Sequence, residues 1–297
     1  MNRTQTEPSG KREQQLDNAR RSLERLFRNP LSVIGFLMIL TTIFAAIFAP
    51  FLAPYPGDAG SDVHFDRMAE SPSLEHPMGT DNAGRDILSR VLFGARISLL
   101  IGVVVLSIAI GIGVPFGLVA GYVGGTTNAV LMRVTDVFLA IPPILLALAV
   151  TASLGPSLWH AMVAIAFGWW TWYARLVQGE VLSVKENEYI TASETLGASR
   201  LRIAFKEILP NIIAPLTVKA TLDMGAVILV GAALAFLGLG AQPPMADWGA
   251  MIAGGRDYVT SAWWMATFPG LAISFTVLGF VLLGDGLRDM FDVEVND

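Results

Sequence analysis

Two pairs of charged residues stand at helical spacing inside apolar stretches of this chain: Arg133 with Asp136, three apart, and Lys219 with Asp223, four apart. Residues so spaced meet on one helix face. A lone charge at the centre of a membrane helix costs about 2.5–3.5 kcal/mol on insertion scales. Each pair is therefore expected to neutralise itself, with Arg133 and Lys219 just inside the ends of their stretches. An unpaired acid deep in a span would point to a proton or substrate site, and none is evident. Soluble-enzyme chemistry is missing. No Gly-x4-Gly-Lys-Ser/Thr phosphate loop occurs, nor a Gly-x-Ser-x-Gly elbow, and His64, His76 and His160 lack metal-ligand spacing. Gly124-Gly125-Thr126-Thr127 lacks the Lys of a phosphate loop and reads as a tight turn. No cysteine is present, which excludes disulfides and thiolate metal sites. The chain is thus expected to hold no catalytic residue, metal or cofactor of its own.

The elements that carry these residues are long and apolar. Of 297 residues, 53% are hydrophobic and 15% charged, against roughly 25% charged in a soluble domain. A net charge of −5 without a basic, aromatic-interleaved patch is unlike a nucleic-acid binder. A bilayer core about 30 Å thick needs about 20 apolar residues at 1.5 Å rise each. Six stretches qualify: 31–52, 97–120, 129–152, 158–177, 212–237 and 265–287. The first begins too late and runs too long for a cleaved signal, so it is expected to stay as an anchor. The expectation is an all-α polytopic membrane protein with six spans.

Lys and Arg set the sidedness. Seven of them fall between positions 3 and 28. The loop after the fourth stretch adds Lys185, Arg200, Arg202 and Lys206, with Arg175 at its edge, whereas 58–86 holds seven acids against Arg67 and Arg85. Both termini and the 188–210 loop are expected in the cytoplasm, and 58–86 outside. The tail also sets Leu16, Ala19, Leu23, Leu26 and Phe27 at helical spacing among arginines, a pattern that suits the surface of an anionic leaflet. Gly113, Gly117 and Gly121 put bare backbone on one helix face, as close helix packing requires. Pro142-Pro143 removes two backbone donors and predicts a kink, which could serve as a hinge on a pathway or be a static bend. Asp136 belongs to the same stretch and is a pathway candidate with them.

One polar stretch is patterned more specifically. Glu188-Tyr-Ile-Thr-Ala-Ser-Glu-Thr-Leu-Gly197 is followed, thirteen positions after its glycine, by Pro210 in Leu209-Pro210-Asn211. This resembles the "EAA" loop by which membrane subunits of ATP-binding-cassette importers grip their ATPase. Thr191 stands for the Glu of that pattern, Ser193 for the second Ala, and Glu207 for an Ile. The resemblance implies that Thr191, Ala192, Ser193, Glu194, Gly197, Ala198, Leu201, Leu209 and Pro210 form the coupling surface, with 191–202 as a short helix. The 76–98 block from His76-Pro-Met-Gly-Thr-Asp81, Met132-Arg-Val-Thr-Asp136, Phe236-Leu-Gly-Leu-Gly240 through Trp248, and Gly284-Asp-Gly286 are similar to the dipeptide/oligopeptide/nickel branch of that family. Asn29-Pro30 and the first stretch look like its extra N-terminal segment.

The resemblance implies a second, C-type permease. Its organisation would be a basic tail (1–29), a first span (30–54), an extracytoplasmic segment (55–94), a permease core (95–289) with the coupling loop at 183–211, and a short tail (290–297). Implied partners are a sister permease, one or two ATPase subunits holding ATP and Mg2+, a solute-binding protein and the bacterial cytoplasmic membrane, with no nucleic acid. Short peptides are the expected cargo, with nickel complexes, glutathione and opines as alternatives. Trp248, Trp263 and Trp264 would face the binding protein or form an interfacial belt. An ion-driven carrier is the competing class. It predicts internal repeats and broken helices with an ion site at mid-membrane, and no convincing repeat is seen. A membrane hydrolase lacks any nucleophile.

Overall fold

A computed structural model of the protein describes residues 27–294, with the side chains of 292–294 excepted; the apolar tail positions up to Leu26 and the end of the 290–297 tail, 295–297, lie outside the described part. Helix α1 (Pro30–Leu52) starts at Asn29, whose side chain accepts from the Leu31 amide at 3.0 Å, with Pro30 in the first-turn position that tolerates it. Pro50 inside this helix cannot donate to the Ala46 carbonyl. Arg96 makes up the loss: its guanidinium donates to the Ala46 carbonyl and, at 2.9 Å, to that of Ile47. The Thr42 and Thr276 hydroxyls, buried and 3.2 Å apart, fasten α1 to the last helix.

Helix α2 (Ile87–Val123) is capped by Asp86, which accepts from the Ser89 amide at 2.7 Å. It packs along α5 (Leu158–Lys185) through the glycine stripe. A Cβ on Gly113 or Gly117 would run into the Trp170 or Ala174 carbonyl oxygen, and one on Gly121 would lie 2.8 Å from Val181 Cβ. The expected close approach is therefore what these glycines do. Gly124 and Gly125, at φ +69° and +53°, make the expected tight turn into α3 (Gly125–Leu139).

The third stretch is more sharply broken than a kink. Helix α3 ends at Leu139 and α4 (Pro143–Leu154) leaves at 80°, which makes the pair either a broken span or a re-entrant loop. Further along, α6 (Glu188–Thr195) precedes a helix that runs on from Arg200. Its first turn, α7 (Arg200–Ile203), passes through a π turn and a 3-10 turn into α8 (Ile213–Phe236), so the fifth stretch begins a dozen residues before its apolar part. Helices α9 (Trp248–Gly255) and α10 (Trp264–Glu294) complete the bundle. No strand occurs among the described residues, so the all-α expectation holds.

Four helices are long and apolar enough to cross a membrane, five if the bent pair counts as one span. The count of six does not follow. Helix α5 is 28 residues long but carries His160, Arg175, Gln178 and Glu180, and fourteen of its residues are buried within the protein. Protein rather than lipid surrounds much of it, which removes the need for a uniformly apolar surface. The starts of α1 and α8 and the C-terminal part of α10 gather at the end that carries 186–212: Asn29 Nδ2 donates to Asp289 at 3.5 Å, and Arg288 shares a cleft with Asn211.

Candidate functional site

The patterned loop is a helix–turn–helix rather than the single helix expected over 191–202. At the end of α6 the Gly197 amide donates to the Glu194 carbonyl at 2.9 Å and the Ala198 amide to that of Ser193 at 3.1 Å. These are the paired bonds of a Schellman motif. Gly197 has φ +78°, and open space surrounds the site of its absent Cβ. Backbone conformation, not crowding within this chain, requires the glycine. Ser199 restarts the helix by accepting from the Arg202 amide at 3.4 Å. Pro210 then lacks an amide and would crowd the carbonyl of residue 206 in an ordinary α-turn. The wider π turn Ala204–Ile208 and the 3-10 turn Leu209–Ile212 accommodate it.

One face of this unit is fixed to the bundle. Ile190, Ile203, Ile208 and Ile212 are buried against Leu118 and Tyr122 of α2 and Val177 and Val181 of α5. The Tyr122 hydroxyl donates to Glu194 Oε1 at 3.1 Å, and Lys185 Nζ donates to the Tyr122 carbonyl at 2.9 Å. Asn211 Nδ2 donates to the Tyr189 hydroxyl at 3.2 Å. A force on the loop therefore reaches α2 and α5 through packed side chains.

The other face is open and apolar. Leu196 is 87% exposed, Leu201 72% and Phe205 57%, with exposed Arg200, Arg202 and Lys206 among them. Such a patch with a charged rim suits contact with a protein or with the membrane surface. Of the residues singled out in the sequence, Thr191, Ala192, Glu194, Gly197, Leu201 and Pro210 are exposed, while Ser193, Ala198 and Leu209 are half-buried. Leu196, Phe205 and the anchor Tyr122 were not anticipated. Leu201 and Phe205 form an i,i+4 pair amid basic residues, a signal that could have placed Phe205 on the open face.

Within the bundle, Lys219 and Asp223 pair at 3.0 Å as expected. Asp136 does not pair with Arg133; it meets Arg175 of α5, 39 residues away. Both partners of that bridge are half-exposed. It ties α3 to α5 just before the break at Pro142 and Pro143, where Pro142 takes the cap position and Pro143 the first turn of α4.

At the far end of the bundle, 55–86 folds around a buried polar network. His76 Nδ1 lies 3.0 Å from Asp86 Oδ1, both essentially inaccessible, and Arg67 approaches His76 Nε2 at 3.4 Å. His64 binds Asp58 at 3.0 Å, and the Asp86 amide donates to Asp58 at 2.7 Å. His64 and His76 are thus joined in one network that their spacing did not suggest. The tryptophans also differ from expectation. Trp248 and Trp264 are buried, donating to the carbonyls of Val91 at 2.9 Å and Thr80 at 3.2 Å; Trp263 is half-exposed. Asp247 caps α9, accepting from the Ala250 amide at 2.9 Å, and its burial raises its pKa above the ordinary carboxylate value, against the opposing effect of the amides it accepts from.

Residues 113–296, more than half of the chain, match the family model described as binding-protein-dependent transport system inner membrane component. The chain belongs to this family. Residues 18–72 match a second model, the N-terminal TM domain of oligopeptide transport permease C. In this permease the first span and its flanks are thus a recognised addition to the core. A probable D,D-dipeptide transport system permease protein of Escherichia coli strain K12 is 45% identical over 89% of this chain and 88% of its own length. A dipeptide transport system permease protein of Alkalihalophilus pseudofirmus is 44% identical over 92% and 89%. A glutathione transport system permease protein of Pectobacterium atrosepticum is 43% identical over 90% and 88%. Among solved structures, an inward-facing conformation of the MetNI methionine ABC transporter matches with TM-score 0.57 at 20% identity, covering 69% of this chain and 97% of that one. At that identity the match speaks for the fold alone. The permease is a membrane subunit that works with other transporter subunits.

Proposed function

We propose that this permease is one of two membrane subunits of an ATP-driven importer of short peptides. The observation that carries the reading is the exposed Leu196–Leu201–Phe205 face on a loop locked to α2 and α5. An ATPase subunit docks there, and its closure on ATP pulls the loop. The helices it is tied to then swing between inward-facing and outward-facing arrangements. Thr191, Ala192, Ser193, Glu194, Gly197 and Ala198 give the docking helix its small, tightly turned end, and the Leu209-Pro210 turn sets its angle to α8. The break at Pro142 and Pro143 is where α4 pivots against α3, with the Asp136–Arg175 bridge as the fixed side.

The chain itself holds no nucleotide; ATP and Mg2+ belong to one or two partner ATPases. A sister permease forms the other wall of the path, and a solute-binding protein delivers cargo to the 55–94 side, outside the bacterial cytoplasmic membrane. Both termini and the loop lie in the cytoplasm, in keeping with the basic residues around 3–28 and 185–206. The names of the dipeptide permeases at 44–45% identity support peptides as cargo. Glutathione, itself a tripeptide, is the second reading, favoured by the relative at 43%. Uptake of labelled L-alanyl-L-alanine by membranes carrying the complete importer should require both ATP and this subunit. Uptake unchanged after its deletion would remove the proposal.

A further inference from the structure

Self-neutralisation does not account for where the Lys219–Asp223 pair lies. Asp223 stands about 15 Å along α8 from Ile213 at 1.5 Å per residue, well within the apolar part of the fifth stretch. Two clefts meet at the pair. One of about 650 Å³ is lined also by Glu180, Asn211 and Arg288, and one of about 270 Å³ lies against Pro143, Trp169 and Trp172. The side chains stay 27% and 12% exposed in them. A charged opening at this depth does not face acyl chains; it faces water or protein.

The surroundings are also under-satisfied in part. Lys219 Nζ is 3.0 Å from each Asp223 oxygen and donates its hydrogen bond to Oδ1, with the buried Tyr173 hydroxyl beside the same carboxylate. Trp169, on the wall of the smaller cleft, has a buried indole N–H with no acceptor there. Lys219 Nζ stands 5.7 Å from the Trp172 ring centroid and 5.6 Å from that of Tyr173, so aromatic faces keep its ammonium within the cleft.

We propose that this pair is a contact site for the charged ends of the translocated solute, with the ammonium terminus docking on Asp223 and the carboxylate terminus on Lys219. The inference rests on the peptide reading above and names the chain's own recognition point within it. A prepaired lysine and aspartate hold both signs of charge in a low-dielectric cleft without leaving either uncompensated. A zwitterion entering the cleft exchanges one partner for a like one at each end, so no charge is stranded on entry or exit. Trp172, half-exposed, and Trp169 flank the solute between its termini.

The test uses the intact importer in proteoliposomes, with L-alanyl-L-alanine as the probe and its binding protein present. Replacing both charges at once (Lys219→Gln with Asp223→Asn) keeps size and strands no charge. The variant is expected to assemble with its partner subunits, with uptake lowered at least tenfold. Uptake within twofold of the unaltered importer would overturn the site and leave the peptide reading standing. No uptake by the unaltered importer would overturn the peptide reading and this site's occupant together. Should the double variant fail to assemble, Trp172→Cys decides. In this Cys-free chain the new thiol is expected to be labelled severalfold more slowly during turnover with the dipeptide, and unchanged labelling would overturn the site.

Discussion

Gly111 and Gly117 lie six residues apart on α2 and face opposite fates on substitution by alanine. Nothing stands within 4 Å of a Cβ built on Gly111, whereas one on Gly117 meets the Ala174 carbonyl and sits 2.8 Å from Val177 Cβ. In a helix, alanine is favoured over glycine by about 1 kcal/mol. Gly111→Ala should collect most of that. Gly117→Ala collects it too, but the helices must separate by roughly half an ångström or more to reach ordinary carbon contact at 3.5–4.0 Å. Overpacking of this kind costs about 1–3 kcal/mol, and the obstruction is partly backbone, which cannot rotate away. The net expectation is a gain of about 0.5–1 kcal/mol at Gly111 and a loss of up to about 2 kcal/mol at Gly117. Two identical changes in one helix should therefore separate in stability by about 2 kcal/mol, or several degrees in melting midpoint. Thermal unfolding of the detergent-solubilised subunit, followed by tryptophan fluorescence, reads this directly. Midpoints moving in the same direction by similar amounts would refute the packing argument.

Three further outcomes follow from single sites. Arg96→Met leaves the Ala46 and Ile47 carbonyls without their donor beside Pro50, which should cost about 1–3 kcal/mol and speed proteolysis of the connection after α1. Gly197→Ala forces a Cβ into a left-handed turn at a cost of about 1–2 kcal/mol; faster amide exchange confined to 196–199, with normal membrane insertion, is expected. Asp247→Asn addresses pH. Burial raises the carboxyl pKa in the folded state, so its favourable, protonated contribution is complete below the unfolded pKa and is lost as pH rises through the folded value. The unaltered permease should lose stability relative to the Asp247→Asn variant over that rise, and melting curves with parallel pH profiles would contradict it.

Much of the bundle was readable because spacing alone dictates it. Gly113, Gly117 and Gly121 announce a close face, Gly124-Gly125 a turn, and the Gly197-to-Pro210 interval a patterned loop. What spacing cannot carry is the identity of a distant neighbour. Asp136 has Arg133 one turn away, yet Arg175 on another helix takes it. Two prolines predict a bend but not 80°, because how far α4 swings is set by where α5 lets it pack. Trp248 and Trp264 looked like interface residues by type and are buried because the 55–86 segment and α2 offer carbonyls to their N–H groups. In the loop, leucine and isoleucine were indistinguishable by hydropathy. Only the register of the helix from Arg200 separates buried Ile203 and Ile208 from open Leu201 and Phe205.

The central claim is that the Leu196–Leu201–Phe205 face seats an ATPase subunit. Leu201→Glu combined with Phe205→Glu places two carboxylates on that face while leaving the buried Ile203 and Ile208 side untouched. Burying unpaired charges costs several kcal/mol, and each 1.4 kcal/mol is about tenfold in affinity. The decisive measurement is the stoichiometry of ATPase subunit recovered with the affinity-purified permease, from membranes where both forms insert equally. The account predicts that the ATPase is lost from the double variant, along with substrate-stimulated hydrolysis. Recovery of the ATPase at the unaltered stoichiometry, with hydrolysis still driving uptake, would contradict it.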